Sequence, residues 1–283
     1  MTEARLSIII PACNEEARIG ACLRSILDQE GLDQGGDSAG ALQVVVVPNG
    51  CRDGTADAAR GFMGDFAARG WPLTVVELAA GGKLAALNAG DDAAASPARL
   101  YLDADIVLGP GLLAGLLAAL DRPEPVYAGA RLKVAPATSA ISRRYARFWQ
   151  TLPFITRGVS GAGLFAVNAA GRARWGRFPD IIADDAFVRG QFAPFERVLV
   201  DATYSWPISE GFGALVRVRG RQDDGMRELA RLHPALMGNF TDRPSRAELR
   251  RLAAADPAGF VTYAAINLAT RLRRQRGGWV RNR

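Results

Sequence analysis

Short runs of β-branched and aliphatic residues alternate with amphipathic stretches through the first half of the chain. Leu6 to Ile10, Val44 to Val47, Leu73 to Leu78 and Leu100 to Asp103 read as strands. Between them, Glu15 to Leu27 carries Ile19, Leu23, Ile26 and Leu27 at helical spacing, and Asp53 to Phe66 and Lys83 to Ala95 read as alanine-rich helices. Strand-helix-strand repetition with apolar strands predicts a parallel sheet covered on both faces. Such sheets bind ligands at the carboxyl ends of their strands, and polar clusters fall there: Pro11 to Glu15, Pro48 to Asp53 and Asp103 to Asp105.

After Asp105 the pattern changes to α+β. A helix is expected around Pro110 to Leu120 and a strand near Val126 to Val134, followed by the basic, aromatic stretch Ser139 to Trp149. Gly161-Ala162-Gly163 leads into an apolar run, Leu164 to Val167, and Ala186 to Gln191 looks helical. From about Arg217 the chain is arginine-rich and mostly helical, ending in Gly277-Gly278 and a basic tail. Gly31 to Gly40, rich in Gly, Asp and Ser, reads as a flexible surface insertion.

Composition excludes more than it selects. With 49% hydrophobic and 23% charged residues in 283, the chain is expected to fold as a globular protein. Ile106 to Leu120 is too short for a membrane span and is interrupted by Pro110. Met1 to Arg5 enters the first strand without a basic and apolar leader, so the expected location is the cytoplasm. Cys13, Cys22 and Cys51 have neither disulfide nor zinc spacing and read as reduced thiols. A net charge of +6 favours anionic partners, whether nucleic acid, lipid or phosphorylated substrate, but the arginine excess lies far from the acidic residues of interest.

The chemistry begins at Leu102-Asp103-Ala104-Asp105, two carboxylates one residue apart where an apolar strand ends. Their repulsion calls for a cation, and a hard one such as Mg²⁺ or Mn²⁺ would leave positions open for phosphate oxygens. A turn or capping role before Gly109-Pro110-Gly111 is the competing explanation. Other segments stand in a fixed order around this pair. Ile8-Ile9-Ile10-Pro11-Ala12-Cys13-Asn14-Glu15-Glu16 opens the chain, with an Asn and a Glu able to bond a base edge or ribose hydroxyls. Val47-Pro48-Asn49-Gly50-Cys51-Arg52-Asp53-Gly54-Thr55 follows, then Gly81-Gly82-Lys83-Leu84-Ala85-Ala86-Leu87-Asn88-Ala89-Gly90, and later Ala183-Asp184-Asp185. Lys83 is not part of a P-loop, because no glycine lies five residues before Gly82 and no Ser or Thr follows Lys83. No dinucleotide fingerprint follows a strand in the first half.

Over roughly residues 6 to 225 these segments resemble glycosyltransferase family 2, inverting enzymes with the GT-A fold. The resemblance implies an α/β fold with a Rossmann-like, mostly parallel sheet, helices on both faces and a smaller mixed acceptor-side region. It implies a catalytic domain over 1–216, with a nucleotide half to about 107 and an acceptor half from 108, and a helical extension over 217–283. Pro11, Asn14 and Glu15 would contact base and ribose, and Lys83 the donor phosphate. Asp103 and Asp105 would hold Mg²⁺ or Mn²⁺. Asp185 would be the base that takes the acceptor proton, with Asp184 raising its proton affinity. Asn49 and Asp53 stand in the family's acidic second loop, where Pro48-Asn49 replaces two aspartates and leaves only a neutral partner for the base.

Arg217-Val218-Arg219-Gly220-Arg221-Gln222 stands where processive relatives carry Q-x-x-R-W. Arg219 or Arg221 would close over the diphosphate, and the absent tryptophan and leading glutamine point to transfer of a single sugar, with Trp149, Trp175 and Trp206 as other aromatic floors. The lone His233 reads as structural rather than as a metal ligand. The implied partners are a nucleoside-diphosphate sugar, UDP-linked by preference, and a carbohydrate or lipid-linked acceptor. Phe260 to Leu272, followed by arginines, is expected to pack on the domain; the alternative is a peripheral enzyme lying on anionic lipid and acting on a lipid or polyprenyl-phosphate acceptor. A sugar nucleotidyltransferase would need a glycine-rich basic loop after the first strand, which Pro11-Ala12-Cys13-Asn14 is not. A nucleic-acid binder rests on charge alone, and a degenerate, non-catalytic protein is at odds with the retained lysine and acids.

Overall fold

The computed structural model describes residues 4–32 and 42–276, with side chains through Arg273. Eight strands among them form one sheet: β1 (Leu6–Ala12), β2 (Leu42–Pro48), β3 (Leu73–Val75), β4 (Arg99–Leu102), β5 (Val107–Leu108), β6 (Tyr127–Val134), β7 (Leu164–Val167) and β8 (Arg197–Trp206). The helices are α1 (Glu16–Leu27), α2 (Thr55–Arg60), α3 (Met63–Ala68), α4 (Lys83–Ala93), α5 (Leu112–Leu120), α6 (Ala140–Trp149), α7 (Pro153–Thr156), α8 (Ala169–Arg172), α9 (Asp184–Gly190), α10 (Phe212–Leu232), α11 (Arg246–Ala255) and α12 (Pro257–Arg276). The insertion at Gly31 to Gly40 lies, from residue 33, outside the described residues, as does the tail after Arg276.

The sheet order is β3-β2-β1-β4-β7-β6-β8-β5. The first four strands are parallel, whereas β7 runs antiparallel to both β4 and β6, β8 parallel to β6, and β5 antiparallel to β8. A parallel half thus passes into a mixed half, as the sequence predicts. Every residue of β1 and β2 is buried, because alternate side chains enter cores on opposite faces. Ile8, Ile10, Val44 and Val46 join the core under α1 and α5, Ile9 packs on the other face with Tyr101 and Phe165, and Val45 and Val47 meet Ala86 of α4. Strand order reverses at β1, with β2 on one side and β4 on the other, which opens a crevice at their carboxyl ends.

Local departures from the sequence reading have local causes. The helix expected from Asp53 to Phe66 is broken into α2 and α3 at Gly61-Phe62, where the Phe62 ring turns to face Gly20. Leu73 to Leu78 is a strand for three residues and then keeps only an isolated bridge to Asn49. Ser139 to Trp149 becomes α6, with Ser139 Oγ accepting the N–H of Ser142 at its N-terminus. The strands β5 and β8 were not anticipated, since one has two residues and the other no clean alternation of buried and exposed positions.

Candidate active site

At the carboxyl edge of the parallel strands the chain leaves β4 at Leu102 and turns tightly through Asp103 to Asp105, with Ile106 N–H bonded back to Asp103 C=O at 3.2 Å. The N–H of Asp103 donates to Gly163 C=O at 2.8 Å, so the acidic turn is pinned to the loop entering β7. Gly161 and Gly163 both take positive φ, and a side chain on Gly163 would meet Ile106 and Trp206 within about 3 Å. Their role is to let this loop close against the turn.

A cavity of about 240 Å³ opens beside the turn. Its wall brings together Lys83 from the start of α4, Asp103, Asp184 and Asp185 from the start of α9, Trp206 from the end of β8, and Arg221 and Gln222 from α10. Lys83 Nζ lies 2.9 Å from Asp103 Oδ1 and 3.1 Å from Asp184 Oδ2. Burial alone would lower the lysine's pKa, but the charges of Asp103 and Asp184 outweigh it and hold the ammonium strongly protonated. With Asp184 committed to Lys83, Asp185 accepts its neighbour's N–H, Ala186, at 2.7 Å and has no other hydrogen bond among the described residues. Burial, then the charge of Asp184, raises Asp185 to about 6.

The segment Gly81 to Gly90 owes its composition to three separate demands. Gly82 takes φ 157° at the N-cap of α4 and directs Lys83 into the cavity. Asn88 receives Phe178 N–H at 2.8 Å and donates to Phe178 C=O at 3.3 Å, tying α4 to the chain between α8 and α9. Gly90 lets α4 rest on β1, since a Cβ there would sit 2.3 Å from Ile9 Cγ2.

Not every residue singled out from the sequence reaches the cavity. Pro11 lines it, as do Lys83, Asp103 and Arg221. Asn14, at φ 57°, accepts Arg52 N–H at 2.8 Å on the loops beyond β1 and β2, and Glu15 pairs with Arg18 at 3.0 Å. Asp53 accepts from Thr55 Oγ and N–H and from Glu16 N–H, so it fastens α1 to α2, and these bonds, Thr55 first, hold its carboxyl low. Asn49 is 3% exposed and donates to Ala12 and Val47 C=O while accepting from Gly82 N–H. Its amide is spent inside the protein, with nothing left to offer a base. Arg219 turns to the other side of α10, where it pairs with Asp223 at 2.8 Å near Tyr145 and Trp149.

Asp105 faces α1 rather than the cavity, and burial, Asp103 and Glu15 raise its carboxyl to about 6. In chemistry the pair suits a hard divalent cation: both donors are carboxylates and no ion pair among the described residues neutralises Asp105, while Asp103 shares an oxygen with Lys83 and no group of three acidic, His or Cys side chains that could hold a metal occurs among the described residues. His233 caps the end of α10 and packs its ring 5.1 Å from Phe187.

Sequence reasoning missed Gln222 as a cavity residue. Of the three tryptophans that the sequence offers as aromatic floors, Trp206 lines the cavity from the end of β8, backed by Trp149 with centroids 5.4 Å apart. The signal for Gln222 was helical spacing, since Val218, Arg221 and Gln222 share one face at i, i+3 and i+4.

A parallel half-sheet joined to a mixed half, with helices on both faces, matches the fold of GT-A glycosyltransferases. A mannosyltransferase from Pyrobaculum calidifontis, PcManGT, solved with GDP-Man and Mn²⁺, superposes with a TM-score of 0.57 at 21% identity, over 99% of this chain and 77% of that one. TarS of S. aureus superposes with a TM-score of 0.51 in its complex with UDP (13% identity, 97% and 93% covered). Its complex with UDP-GlcNAc gives the same TM-score at 15% identity, with 95% and 92% covered. The chain belongs to glycosyl transferase family 2, whose family model matches residues 7–178. No curated protein matches it significantly.

Proposed function

We propose that the protein moves one sugar from a nucleoside-diphosphate sugar to an acceptor hydroxyl with inversion at the anomeric carbon. The observation that carries this is the division of labour in the acid pair: Asp184 is ion-paired with Lys83, while Asp185 faces the same cavity with no ion pair of its own among the described residues and with a pKa that stays raised although the charge of Lys83 lowers it. Asp185 takes the proton of the acceptor hydroxyl as that oxygen attacks the anomeric carbon. The bond to the diphosphate breaks, its electrons stay on the phosphate oxygen, and Lys83 and Arg221 face the charge that develops. Mg²⁺ or Mn²⁺, held by Asp103 and Asp105, would supply further neutralisation of the diphosphate.

The donor reading is supported by neighbours whose ligands, GDP-Man and UDP-GlcNAc, share a diphosphate and differ in base. UDP is the nucleotide we propose. Transfer of a single sugar is supported by the aromatic lining: Tyr101 and Phe165 are 2% and 4% exposed, so Trp206 alone among the lining rings offers a partly exposed face to an acceptor. Calorimetry with UDP, GDP, CDP and dTDP, each with and without Mn²⁺, tests the proposal on wild type and Asp103→Ala. Metal-dependent binding of UDP, lost in the variant, is expected. Binding of another nucleotide would replace UDP, and absence of all four would overturn the transferase reading.

A further inference from the structure

The helix α12 uses one face and leaves the other free. Phe260, Tyr263, Ile266 and Ala269 enter the main core against α6 and α10, as the packing reading of this segment expects. Tyr263 lies 5.2 Å from Phe148, and Thr270 reaches Val216 C=O at 3.5 Å. On the opposite side Val261, Leu268 and Leu272 are 65%, 58% and 48% exposed, with exposed Ala265 between them. Spacings of four, three and four residues put these side chains within an arc of about 60° at about 100° per residue. Arg271 and Arg273 are exposed beside the end of the stripe.

The charge distribution says what this face meets. Residues 257–283 contain six arginines, no lysine and no acidic residue, out of 35 basic and 29 acidic residues in the whole chain. The other residues therefore carry 29 basic and 29 acidic groups, so the entire +6 excess lies on α12 and the sequence that follows it. An apolar stripe bordered by a single sign of charge matches a surface that is apolar within and anionic at its boundary. A second copy packed with its α12 parallel would set Arg271 and Arg273 against like charges, an antiparallel one would leave them against the uncharged start of the partner helix, and a nucleic acid would leave Leu268 and Leu272 against phosphate and water.

We infer that the outer face of α12 docks on an anionic lipid surface through Val261, Leu268 and Leu272, with the flanking arginines at the headgroups. The helix lies along the surface: no helix among the described residues is long and apolar enough to cross a membrane. Docking does not depend on the transferase reading. Taken with that reading, it has a consequence for the acceptor, because α10 packs on α12 with one side while Val218, Arg221 and Gln222 line the cavity with another. The active site then lies beyond two packed helices, about 20 Å from the lipid at about 10 Å per helix, so an acceptor carried on a lipid must extend that far from the surface to reach it.

Vesicle co-sedimentation of the full chain tests this, using phosphatidylcholine with and without about 30% phosphatidylglycerol. Binding to the anionic vesicles is expected, weakened about tenfold or more without the anionic lipid, in roughly 0.5 M salt, or by Leu268→Asp. Leu268→Asp should keep the wild-type melting temperature and nucleotide binding, which separates a failure of docking from a failure of folding or of the transferase reading. Three results would overturn the inference: no vesicle binding by wild type, equal binding by Leu268→Asp, or equal binding to neutral vesicles. A dimer that Leu268→Asp dissociates, or a nucleic-acid complex that it leaves intact, would do the same if vesicles do not bind.

Discussion

The ammonium of Lys83 stands 2.9 Å from Asp103 and thereby joins the acidic turn after β4 to the acid pair of α9, through its second contact with Asp184. A donor diphosphate and a divalent cation would both compete for members of this ion pair. Lys83→Met should raise Mn²⁺ affinity without nucleotide by about three- to tenfold, because a competing cation is gone, and weaken nucleoside-diphosphate binding by about tenfold. Calorimetric titration of Mn²⁺ and of the nucleotide measures both. Unchanged Mn²⁺ affinity would mean that the lysine does not compete.

The raised pKa of Asp185, about 6, fixes the sign of the pH dependence. Its ionised form is the base, so kcat should rise tenfold per pH unit below about 6 and level off above it. Asp185→Asn should cut kcat by about 10²- to 10⁴-fold. Stability should move the other way. The folded protein holds this proton more tightly than an unfolded chain with a carboxyl at 3.8, so stability falls as pH rises from 3.8 to about 6. Asp185→Asn removes that cost and should raise the melting temperature by about 2–4 °C at pH 8, with little change near pH 3. A lower melting temperature at pH 8 would contradict the sign.

Restoring an aspartate at position 49, where the family pattern carries one, should be harmful. The Asn49 amide N–H groups donate to Ala12 and Val47 C=O, and a carboxylate would face both carbonyls without a proton. Asn49→Asp should cost about 2–4 kcal/mol in urea unfolding, and a neutral effect would show that the loop can rearrange.

Gly225 of α10 sits where a Cβ would lie 2.9 Å from Ala183 Cβ and 3.2 Å from Ile182 Cγ2, on the loop that carries the acid pair. The N–H of Ile182 also donates to Glu228 at 2.7 Å, so α10 positions that loop from two places. Gly225→Val should lower stability by about 1–3 kcal/mol and reduce kcat more than donor affinity. Steady-state kinetics beside nucleotide calorimetry separates the two effects.

Trp206→Ala should raise the acceptor KM by about tenfold while leaving nucleotide affinity within twofold, as expected of a ring that stacks on the acceptor. A fall in nucleotide affinity alone would assign the ring to the donor instead.

The parallel half was legible because β1 and β2 are continuous apolar runs and α1 has a clear helical period. Lys83, Asp103 and the acid pair were legible because their residue types are costly without a partner. What escaped depended on distant pairing. β8 has no alternation to betray it, so Trp206 was named as an aromatic floor while its place was not, since that follows from a register with β6 that shifts between Gly129 and Arg131. Asn49 read as a possible ligand because the sequence displays an amide but not the carbonyls that occupy it.

The sheet order also sets a sequence of events for a chain emerging from the ribosome. The parallel strands are complete by Leu102, but β5, at Val107–Leu108, pairs with Ser205 and Tyr204, almost a hundred residues later. Gly109 N–H likewise waits for Thr203 C=O. Contacts this far apart in the chain form late, since loop closure costs entropy before pairing returns any. The far side of the Asp103 to Asp105 turn is held early by α1, where Ser25 Oγ accepts Leu108 N–H at 3.0 Å and Gln29 donates to Gly109 C=O at 2.9 Å, and gains its strand partner only when β8 arrives, so nascent chains ending before β8 would hold a folded half-sheet whose acidic turn leans on α1 alone on that side.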